Sequence, residues 1–323
     1  MKNEKTAGQL LQEQLCEKPK NSYEIMSQED LQKAESFCED YKVFLDRAKT
    51  EREAVEAIIG MLKGAGYEEF VLGKKYAPGD KVYYNNRGKA LICATLGTEP
   101  LEQGVYIAAS HIDSPRLDLK PRPVYEDTEL ALFKTHYYGG IKKYQWTAIP
   151  LALHGVVIKR DGETVKVNIG EDEQDPIFCV TDLLPHLATE QSKRTLAEGV
   201  KGEELNILIG SRPFKDDKAS EKVKLNILSI LHEKYGMVES DFLSAELVLV
   251  PAFKAKDLGL DRSMIGAYGH DDRVCAYTSL MATLHCKAPK KTSVVIFADK
   301  EETGSEGNTG LDSRFLEYFI SDL

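Results

Sequence analysis

A short apolar run that ends directly in three acidic residues limits how this chain can fold. Residues 293–298 (SVVIFA) are rich in β-branched and aromatic side chains, and Asp299, Glu301 and Glu302 follow at once. Such a run, bounded by turn-forming residues, predicts a buried strand whose carboxyl end carries the acids, where open α/β sheets place their ligands. Because neighbouring carboxylates repel each other, a divalent metal ion is the simplest way to keep them ionised near neutral pH.

Two other stretches have the same character. The apolar run 105–109 leads to His111 and Asp113, and Asp271 and Asp272 stand just before a predicted helix. Imidazole and carboxylate groups are the ligands that zinc, manganese and cobalt accept. In an extended chain Asp113 lies on the same side as His111 and can accept the proton of its other ring nitrogen. Spacing alone does not separate Asp271 from Asp272 as a ligand.

Each of these residues also has a simpler explanation. His111 alone could be a buried structural histidine, Asp271 could cap the following helix, and the two glutamates could form a solvated turn. The glycine-rich segment 303–310 lacks the GxxxxGK[ST] pattern of a phosphate-binding loop, and the adjacent acids would repel phosphate. The coincidence of three acidic or histidine groups at predicted strand and helix ends favours a metal centre.

These motifs together resemble those of a known family. The strand followed by His-x-Asp, the later Asp-Asp-Arg, and Glu-Glu-x-Gly-Ser with Gly-Asn-Thr-Gly are similar to the M18 metalloaminopeptidases, which include the aspartyl aminopeptidases and the aminopeptidase I group. The similarity runs from about the first predicted helix to the last residue. It implies an α/β fold with a mixed, mainly parallel sheet flanked by helices, a zinc-peptidase-like catalytic domain, and an inserted β-rich dimerisation lobe.

The resemblance also implies roles for the candidate residues. His111 would bind one metal ion, Asp271 would bridge two, Glu302 would bind the other, and Glu301 would be the general base. Asp113 is a further candidate catalytic residue, through the contact with the His111 ring described above. Two divalent ions, zinc or alternatively manganese or cobalt, would share a water molecule and lower its pKa. In an extended segment the two glutamates point to opposite sides, so the assignment of base and ligand comes from the resemblance.

His154 is a further candidate catalytic residue. Its surroundings in residues 149–154 resemble the family position at which a histidine of the lobe reaches the active site of a neighbouring subunit and stabilises the tetrahedral intermediate. A structural histidine within a β-rich lobe fits the sequence equally well.

The order of predicted elements divides the chain into four parts. Capping patterns at Ser27 and Thr50 predict two helices, and residues 155–168 predict a hairpin that turns at Asp161-Gly162. We expect residues 246–250 to return to the first sheet. The parts are an N-terminal arm, a first catalytic part, an inserted oligomerisation lobe and a second, incomplete catalytic part, at residues 1–26, 27–120, 121–245 and 246–323.

Charge and hydropathy exclude some classes of function. The chain has 42 basic and 52 acidic residues, a formal net charge of −10, and no basic block that would follow phosphates, so nucleic acid is excluded as a partner. The N-terminus has no apolar signal-peptide segment, and no stretch is long enough to span a membrane. We therefore expect a soluble, cytoplasmic protein.

The family pattern continues beyond Leu323, where it supplies one more acidic ligand and a final histidine. We therefore expect a C-terminally truncated chain whose two-metal site is short of ligands. The leading hypothesis is a metal-dependent aminopeptidase that acts on peptides and forms a homo-oligomer based on dimers, possibly a dodecamer. The alternatives are a non-catalytic scaffold or regulatory subunit, and a metal-dependent deacylase of small amides.

Overall fold

The computed structural model describes residues 5–323, which form two compact units, Met1–Tyr41 as far as it is described and Lys42–Leu323. The α-helices are α1 (Ala7–Leu15), α2 (Ser22–Ile25), α3 (Gln28–Arg47), α4 (Glu51–Gly64), α5 (Lys222–Tyr235), α6 (His270–His285) and α7 (Phe315–Asp322). The strands are β1 (Glu68–Glu69), β2 (Lys81–Asn86), β3 (Ala90–Thr95), β4 (Tyr106–His111), β5 (Arg116–Asp127), β6 (Leu130–Tyr138), β7 (Leu151–Ile158), β8 (Thr164–Ile169), β9 (Cys179–Val180), β10 (Ile207–Gly210), β11 (Ala245–Pro251), β12 (Lys256–Leu258), β13 (Met264–Gly266) and β14 (Ser293–Ala298).

The first unit contains α1, α2 and most of α3. Residues 1–26 were expected to form an arm, yet α1 begins at a capping box in which Thr6 and Gln9 each accept a hydrogen bond from the other's backbone. The helix buries none of its side chains, although Ala7, Leu10, Leu11 and Leu15 recur at helical spacing in the sequence. The predicted cap at Ser27 is confirmed, since its Oγ accepts a hydrogen bond from the Asp30 backbone at 3.1 Å.

Helix α4 begins at the second predicted capping box. The Thr50 backbone N–H donates to Glu53 Oε2 at 3.0 Å, and the Glu53 N–H donates to Thr50 Oγ1 at 3.3 Å. These bonds satisfy amide groups that have no partner within the helix. The buried apolar residues of the helix lie on one stripe: Ala54, Val55, Ile58 and Leu62.

The first sheet has five strands in the order β1-β2-β3-β14-β4. Strand β14 lies between β3, which is antiparallel to it, and β4, which is parallel. Both faces of β14 are covered, which explains why its sequence is continuously apolar. The parallel pairing places His111 beside Ala298, so β4 and β14 end at the same edge of the sheet. The α/β class is confirmed, and the sheet is mixed because β1 and β2 are also parallel while β2 and β3 are antiparallel.

The second sheet is antiparallel, with seven strands in the order β8-β7-β11-β5-β6-β10-β9. The predicted hairpin is confirmed as β7 and β8, with Ile158 opposite Thr164. The expectation that residues 246–250 return to the first sheet is wrong, because β11 pairs with β7 and β5. An apolar strand of this kind fits either sheet, and its partners are chosen by long-range packing that periodicity does not encode.

The sheet also extends beyond the predicted lobe of residues 121–245, since β5 begins at Arg116 and β11 ends at Pro251. Strands β12 and β13 form a small antiparallel pair before α6. Within residues 5–323, no helix combines the length and apolar character needed to cross a membrane.

Candidate metal centre

The centre lies where β4 and β14 end. The Ile112 N–H donates to the Ala298 carbonyl at 2.9 Å, which continues the pairing of the two strands past His111. Lys300 then takes a left-handed conformation with φ of 70°, and the chain turns sharply into a short 3-10 helix, Glu301–Thr303. The turn keeps the two glutamates close to the sheet edge, beside His111.

Asp113 connects the two strand ends. Its side chain is fully buried, and its Oδ2 accepts hydrogen bonds from the Tyr138 hydroxyl at 2.7 Å and the Glu302 N–H at 3.2 Å. Its Oδ1 accepts from the Glu301 N–H at 3.3 Å. Burial alone would raise the pKa of Asp113, but these donors and His111 lower it. The carboxylate therefore fixes the backbone of the glutamate turn relative to the histidine.

The His111 ring is oriented through its Nδ1 atom. That nitrogen lies 3.0 Å from the Asp113 carbonyl oxygen, which can only accept, so Nδ1 carries a proton. The other nitrogen, Nε2, lies 3.1 Å from Asp271 Oδ1 and 3.5 Å from Glu301 Oε2. Burial lowers the pKa of His111, but the hydrogen bond and charge of Asp113 and the charge of Glu301 raise it to about 9. When Nε2 is deprotonated, its lone pair faces carboxylate oxygens, an arrangement that a cation would stabilise.

Asp271 reaches the centre from the start of α6. Its backbone is not helical, with φ of −86° and ψ of 110°, and the peptide bond to Asp272 is cis. Ser114 Oγ donates to the Asp271 carbonyl at 2.8 Å, and the buried Arg273 donates to Ser114 Oγ at 3.0 Å. Asp272 instead interacts with Cys275, whose pKa it raises through a hydrogen bond. Of the two aspartates, Asp271 is therefore the one that faces His111.

Glu302 lies in a more enclosed position than Glu301. A side-chain carbon at Gly139 would lie 3.0 Å from Glu302 Oε2, so the glycine, at φ of 74°, leaves room for this carboxylate. Burial raises the pKa of Glu302, and the negative charges of the neighbouring carboxylates raise it further. Glu301 is more open, with its side chain 57% exposed.

The donor set fits a divalent metal ion of the zinc type. One imidazole nitrogen with its partner nitrogen held by a carbonyl, together with carboxylates, is the chemistry that zinc, manganese and cobalt accept. The side chains of this centre contact one another directly. In the described part of the chain, no three His, Cys, Asp or Glu residues are spaced so that they could hold one ion without moving. The side chain of Asp271 is 85% exposed, so this carboxylate has room to adjust.

His154 lies apart from these residues, on β7 of the second sheet. Its side chain is 1% exposed, with Nδ1 at 2.8 Å from Glu53 Oε1 and Nε2 at 3.2 Å from Glu171 Oε1. Burial lowers the pKa of His154, but these two carboxylates raise it above its usual value. Both ring nitrogens are engaged within the same chain, and the role of His154 at the active site of a neighbouring subunit stays a prediction.

Sequence reasoning missed several residues that shape the centre. Tyr138 ends β6 and Gly139 follows it, and the sign of them in the sequence was an aromatic residue followed by two glycines. Ser114 follows the His-x-Asp motif directly, and Arg273 completes the Asp-Asp-Arg motif without having been given a role. Their contacts link distant parts of the chain, which no local pattern predicts.

Comparison with known proteins agrees with this arrangement. Residues 44–323 match the family described as aminopeptidase I zinc metalloprotease, M18. The chain belongs to the M18 family. A probable M18 family aminopeptidase 1 from Clostridium acetobutylicum is 51% identical over 313 residues, which are 96% of this chain and 67% of the relative. This M18 chain therefore belongs to a family of metalloaminopeptidases.

Solved structures of M18 proteins have the same fold. An M18 aminopeptidase from Thermotoga maritima has a TM-score of 0.89 and 45% identity, and the match covers 95% of this chain and 66% of that one. In fold alone, the chain also resembles the S. cerevisiae mApe1 dodecamer, with a TM-score of 0.68, 20% identity, and coverage of 90% of this chain and 66% of that one. The M18 resemblance and the α/β class expected from the sequence are confirmed, and the chain spans about two thirds of the length of the relatives it matches.

Proposed function

We propose that this M18 chain carries the metal-binding and general-base residues of an aminopeptidase that releases the N-terminal residue of peptides. The observation that carries the proposal is the meeting of His111 Nε2 with Asp271 Oδ1 at 3.1 Å and with Glu301 Oε2 at 3.5 Å, at one sheet edge. These residues come from segments separated by up to 190 positions, from 111 to 301, so their proximity is a product of the fold.

The proposed ligands are His111, Asp271 and Glu302, and the family resemblance implies that Asp271 would bridge two ions. Divalent ions bound there would lower the pKa of a water molecule and polarise the scissile carbonyl. Asp113 holds the His111 ring through its carbonyl and the glutamate turn through its carboxylate. This pre-arranged network keeps Nε2 facing the carboxylates of Asp271 and Glu301, where it could bind an ion.

Glu301 is the proposed general base. Its exposed carboxylate lies beside His111 and can take a proton from the attacking water and pass it to the leaving amine. Glu302 is held against Gly139 with less freedom to move, which suits a ligand better than a proton carrier. The division of roles that the resemblance implied is therefore compatible with the different exposure of the two side chains.

The experiment has two readouts. Zinc, manganese and cobalt binding is measured by calorimetry, and hydrolysis of aminoacyl-nitroanilides is measured with and without a chelator. We expect His111→Gln to weaken metal binding, and Glu301→Gln to retain metal but lose turnover by about 100-fold or more. Glu306→Gln, an exposed glutamate in the same loop, is the matched control and should resemble the wild type.

The outcomes separate the alternatives. Turnover that is indifferent to chelation and to Glu301→Gln would contradict the proposal. Cleavage of N-acyl substrates without cleavage of free-amine peptides would indicate a deacylase. Co-assembly with a longer M18 relative, with neither metal binding nor turnover by this chain alone, would indicate a scaffold.

We also infer that the chain forms a homo-oligomer. The support is its membership of a family with a dodecameric relative of the same fold, together with the β-rich lobe of residues 121–245, to which the family resemblance gives subunit contacts. Light scattering after size exclusion gives the mass directly, and a monomer at all concentrations would contradict this inference.

A further inference from the structure

A buried arginine stands two residues after Asp271. Arg273 is only 1% exposed, and it contacts Ser114, which in turn contacts the Asp271 backbone. We propose that Arg273 acts through Ser114 to fix the Asp271 backbone, so that the Asp271 carboxylate is presented to His111. Both are positioning residues, and the pair is called the Arg273–Ser114 relay below. This inference rests on the proposed function and adds two residues that hold its metal centre in shape.

The hydrogen bonds of the relay have a fixed direction. Ser114 Oγ donates to the Asp271 carbonyl at 2.8 Å, and Arg273 Nη1 donates to Ser114 Oγ at 3.0 Å. A guanidinium can only donate, so its contact occupies a lone pair of Oγ and leaves the single hydroxyl hydrogen for the Asp271 carbonyl. Without Arg273 the hydroxyl would be free to rotate. The arginine therefore sets the direction in which Ser114 donates.

The relay is anchored to a distant part of the chain. Arg273 Nη2 donates to the carbonyl of Lys49, in the link between α3 and α4, at 3.0 Å. Because a guanidinium is a planar fork, bonds from its two terminal nitrogens hold it between the Lys49 carbonyl and Ser114. A lysine ammonium is a single point charge and would not hold both positions. The shape of the arginine is thus what the arrangement uses.

The surroundings of Arg273 leave its charge without a direct carboxylate partner. Among the described residues, its side-chain hydrogen bonds go only to the Ser114 hydroxyl and the Lys49 carbonyl, and its Nε has none. A side-chain carbon at Gly269 would lie 1.8 Å from Arg273 Nη1, so the glycine, at φ of 84°, leaves the space that the guanidinium fills. Arg273 therefore contributes directed hydrogen bonds rather than an ion pair.

Asp271 needs such support because neither a helix nor packing holds it. Asp271 has φ of −86° and ψ of 110°, and Asp272 has φ of −117° and ψ of 33°, so neither residue has helical backbone angles. The Asp271 side chain is 85% exposed, so its carboxylate is not fixed by close packing. Where that carboxylate lies depends on the backbone that carries it, and Ser114 holds the carbonyl of that residue.

Ser114 also joins the two halves of the centre. It follows Asp113, whose carbonyl holds the His111 ring, and it is itself only 2% exposed. Two consecutive residues thus hold His111 on one side and Asp271, 157 positions after Ser114, on the other. Loss of the Ser114 hydroxyl would release Asp271 from the fixed part of the centre without removing any proposed ligand.

The test measures zinc affinity by calorimetry with the full 323-residue chain. Ser114→Ala and Arg273→Lys should each weaken zinc binding about tenfold, the lower end of the range for groups that orient metal ligands. Because Arg273 acts through Ser114, the double variant should bind zinc about as weakly as Ser114→Ala alone. Independent contributions would instead multiply to about 100-fold.

A matched control separates positioning from general stability. Thr135 on β6 is 3% exposed, and its hydroxyl donates to the Leu205 carbonyl, so Thr135→Val removes a buried hydroxyl-to-carbonyl bond from the second sheet. We expect urea unfolding to show similar losses of stability for Thr135→Val and Ser114→Ala. Zinc affinity should fall only in Ser114→Ala.

A second measurement needs no metal. Hydrogen exchange of the backbone amides of residues 270–276 is followed in zinc-free protein. Ser114→Ala should exchange about tenfold faster there than the wild type, because the start of α6 loses its hydrogen bond to the loop after β4, whereas Thr135→Val should not.

The results distinguish the relay from the proposed function. Zinc binding by the wild type with unchanged affinity in Ser114→Ala would overturn the relay and leave the aminopeptidase proposal standing. An equal loss of affinity in Thr135→Val, or additive losses in the double variant, would also overturn it. If the wild type binds no zinc, the proposed function fails and the exchange rates alone decide the relay. If Arg273→Lys does not fold, the comparison of Ser114→Ala with Thr135→Val decides it.

Discussion

Glu51 is a buried carboxylate on which the junction of the two sheets depends. It is the first residue of α4, only 4% exposed, and it accepts a hydrogen bond from Arg116 Nη1 at 2.7 Å while lying 3.1 Å from Lys89 Nζ. Arg116 begins β5 of the second sheet, and Lys89 lies in the turn between β2 and β3 of the first. The substitution Glu51→Gln keeps the size of the side chain and removes the charge that both cations share.

The expected loss of stability follows from the pKa of the carboxyl group. Burial raises the pKa of Glu51, but the charges of Arg116 and Lys89 outweigh it and lower the pKa from 4.5 to about 2. A difference of that size corresponds to about 3 kcal/mol of differential stabilisation of the charged form. Removing one member of a buried ion pair costs about 3 to 5 kcal/mol in other proteins, a range that includes the value obtained from the pKa difference. We therefore expect Glu51→Gln to lower the free energy of unfolding by about 3 kcal/mol at pH 7.

One neighbour can reduce this loss. Asp299 lies 3.8 Å from Lys89, and its pKa is raised by burial and by the negative charge of Glu51. Removing that charge favours the ionised form of Asp299, which can then interact more strongly with Lys89. The value of about 3 kcal/mol is therefore nearer the upper end of what the substitution should cost.

The assay is urea unfolding of the wild type and Glu51→Gln between pH 7 and pH 3.5. Because the folded pKa lies below the unfolded one, the stabilisation is fully present above about pH 4.5 and is lost as the pH falls toward 2. The difference between the two proteins should therefore shrink to about 2 kcal/mol at pH 3.5. Glu56→Gln on the same helix breaks an exposed pair with Lys166, and such pairs contribute at most about 1 kcal/mol. A Glu51→Gln protein as stable as this control, or a difference that does not change with pH, would refute the reasoning.

Three further predictions concern other contacts. Tyr138→Phe removes a hydrogen bond to Asp113, so zinc affinity measured by calorimetry should fall about tenfold while the circular dichroism spectrum stays unchanged. An unchanged zinc affinity would count against the role of this hydrogen bond. His154 has a raised pKa in the folded state, so His154→Gln should cost most stability below pH 6.5 and progressively less as the pH rises through the folded pKa. Urea titrations measure this loss, and a loss that grows with pH would be inconsistent with the prediction. In Gly155→Ala the new carbon would lie 1.9 Å from a backbone oxygen, so the free energy of unfolding should drop by roughly 3 kcal/mol or more. In the control Gly162→Ala the new carbon meets no atom within 4 Å, and the loss should be about 1 kcal/mol. Equal losses in the two variants would contradict the steric argument.

Local patterns predicted the elements whose causes are local. The caps at Ser27 and Thr50 and the turn at Asp161-Gly162 depend on residues within a few positions of one another, and the structure contains all three features. Helix α1 was missed because its segment was interpreted as a polar arm, although Ala7, Leu10, Leu11 and Leu15 recur at helical spacing. Its capping box at Thr6 is a second local signal of a helix start, so both signals lie within the segment itself.

Pairing between distant strands was only partly predictable. The ends of β4 and β14 were expected to meet because both runs finish in acidic or histidine residues, and their parallel pairing brings His111 beside Ala298. Strand β11 was assigned to the wrong sheet because its apolar run suits either one. Its partners β5 and β7 are selected by packing in the core around Leu117 and Leu153, which no single segment of sequence displays.

The contacts at the centre divide its residues into a fixed set and an adjustable set. Asp113, His111 and the backbone of the glutamate turn are held by hydrogen bonds that involve no metal, whereas the side chains of Asp271 and Glu301 are 85% and 57% exposed. An ion binding here would therefore find the imidazole already oriented and would mainly order the exposed carboxylates. Because the fixed set is buried and the adjustable set is not, substitutions at Asp113 should lower both the stability of the fold and the affinity for metal. Substitutions at Asp271 should lower chiefly the affinity for metal.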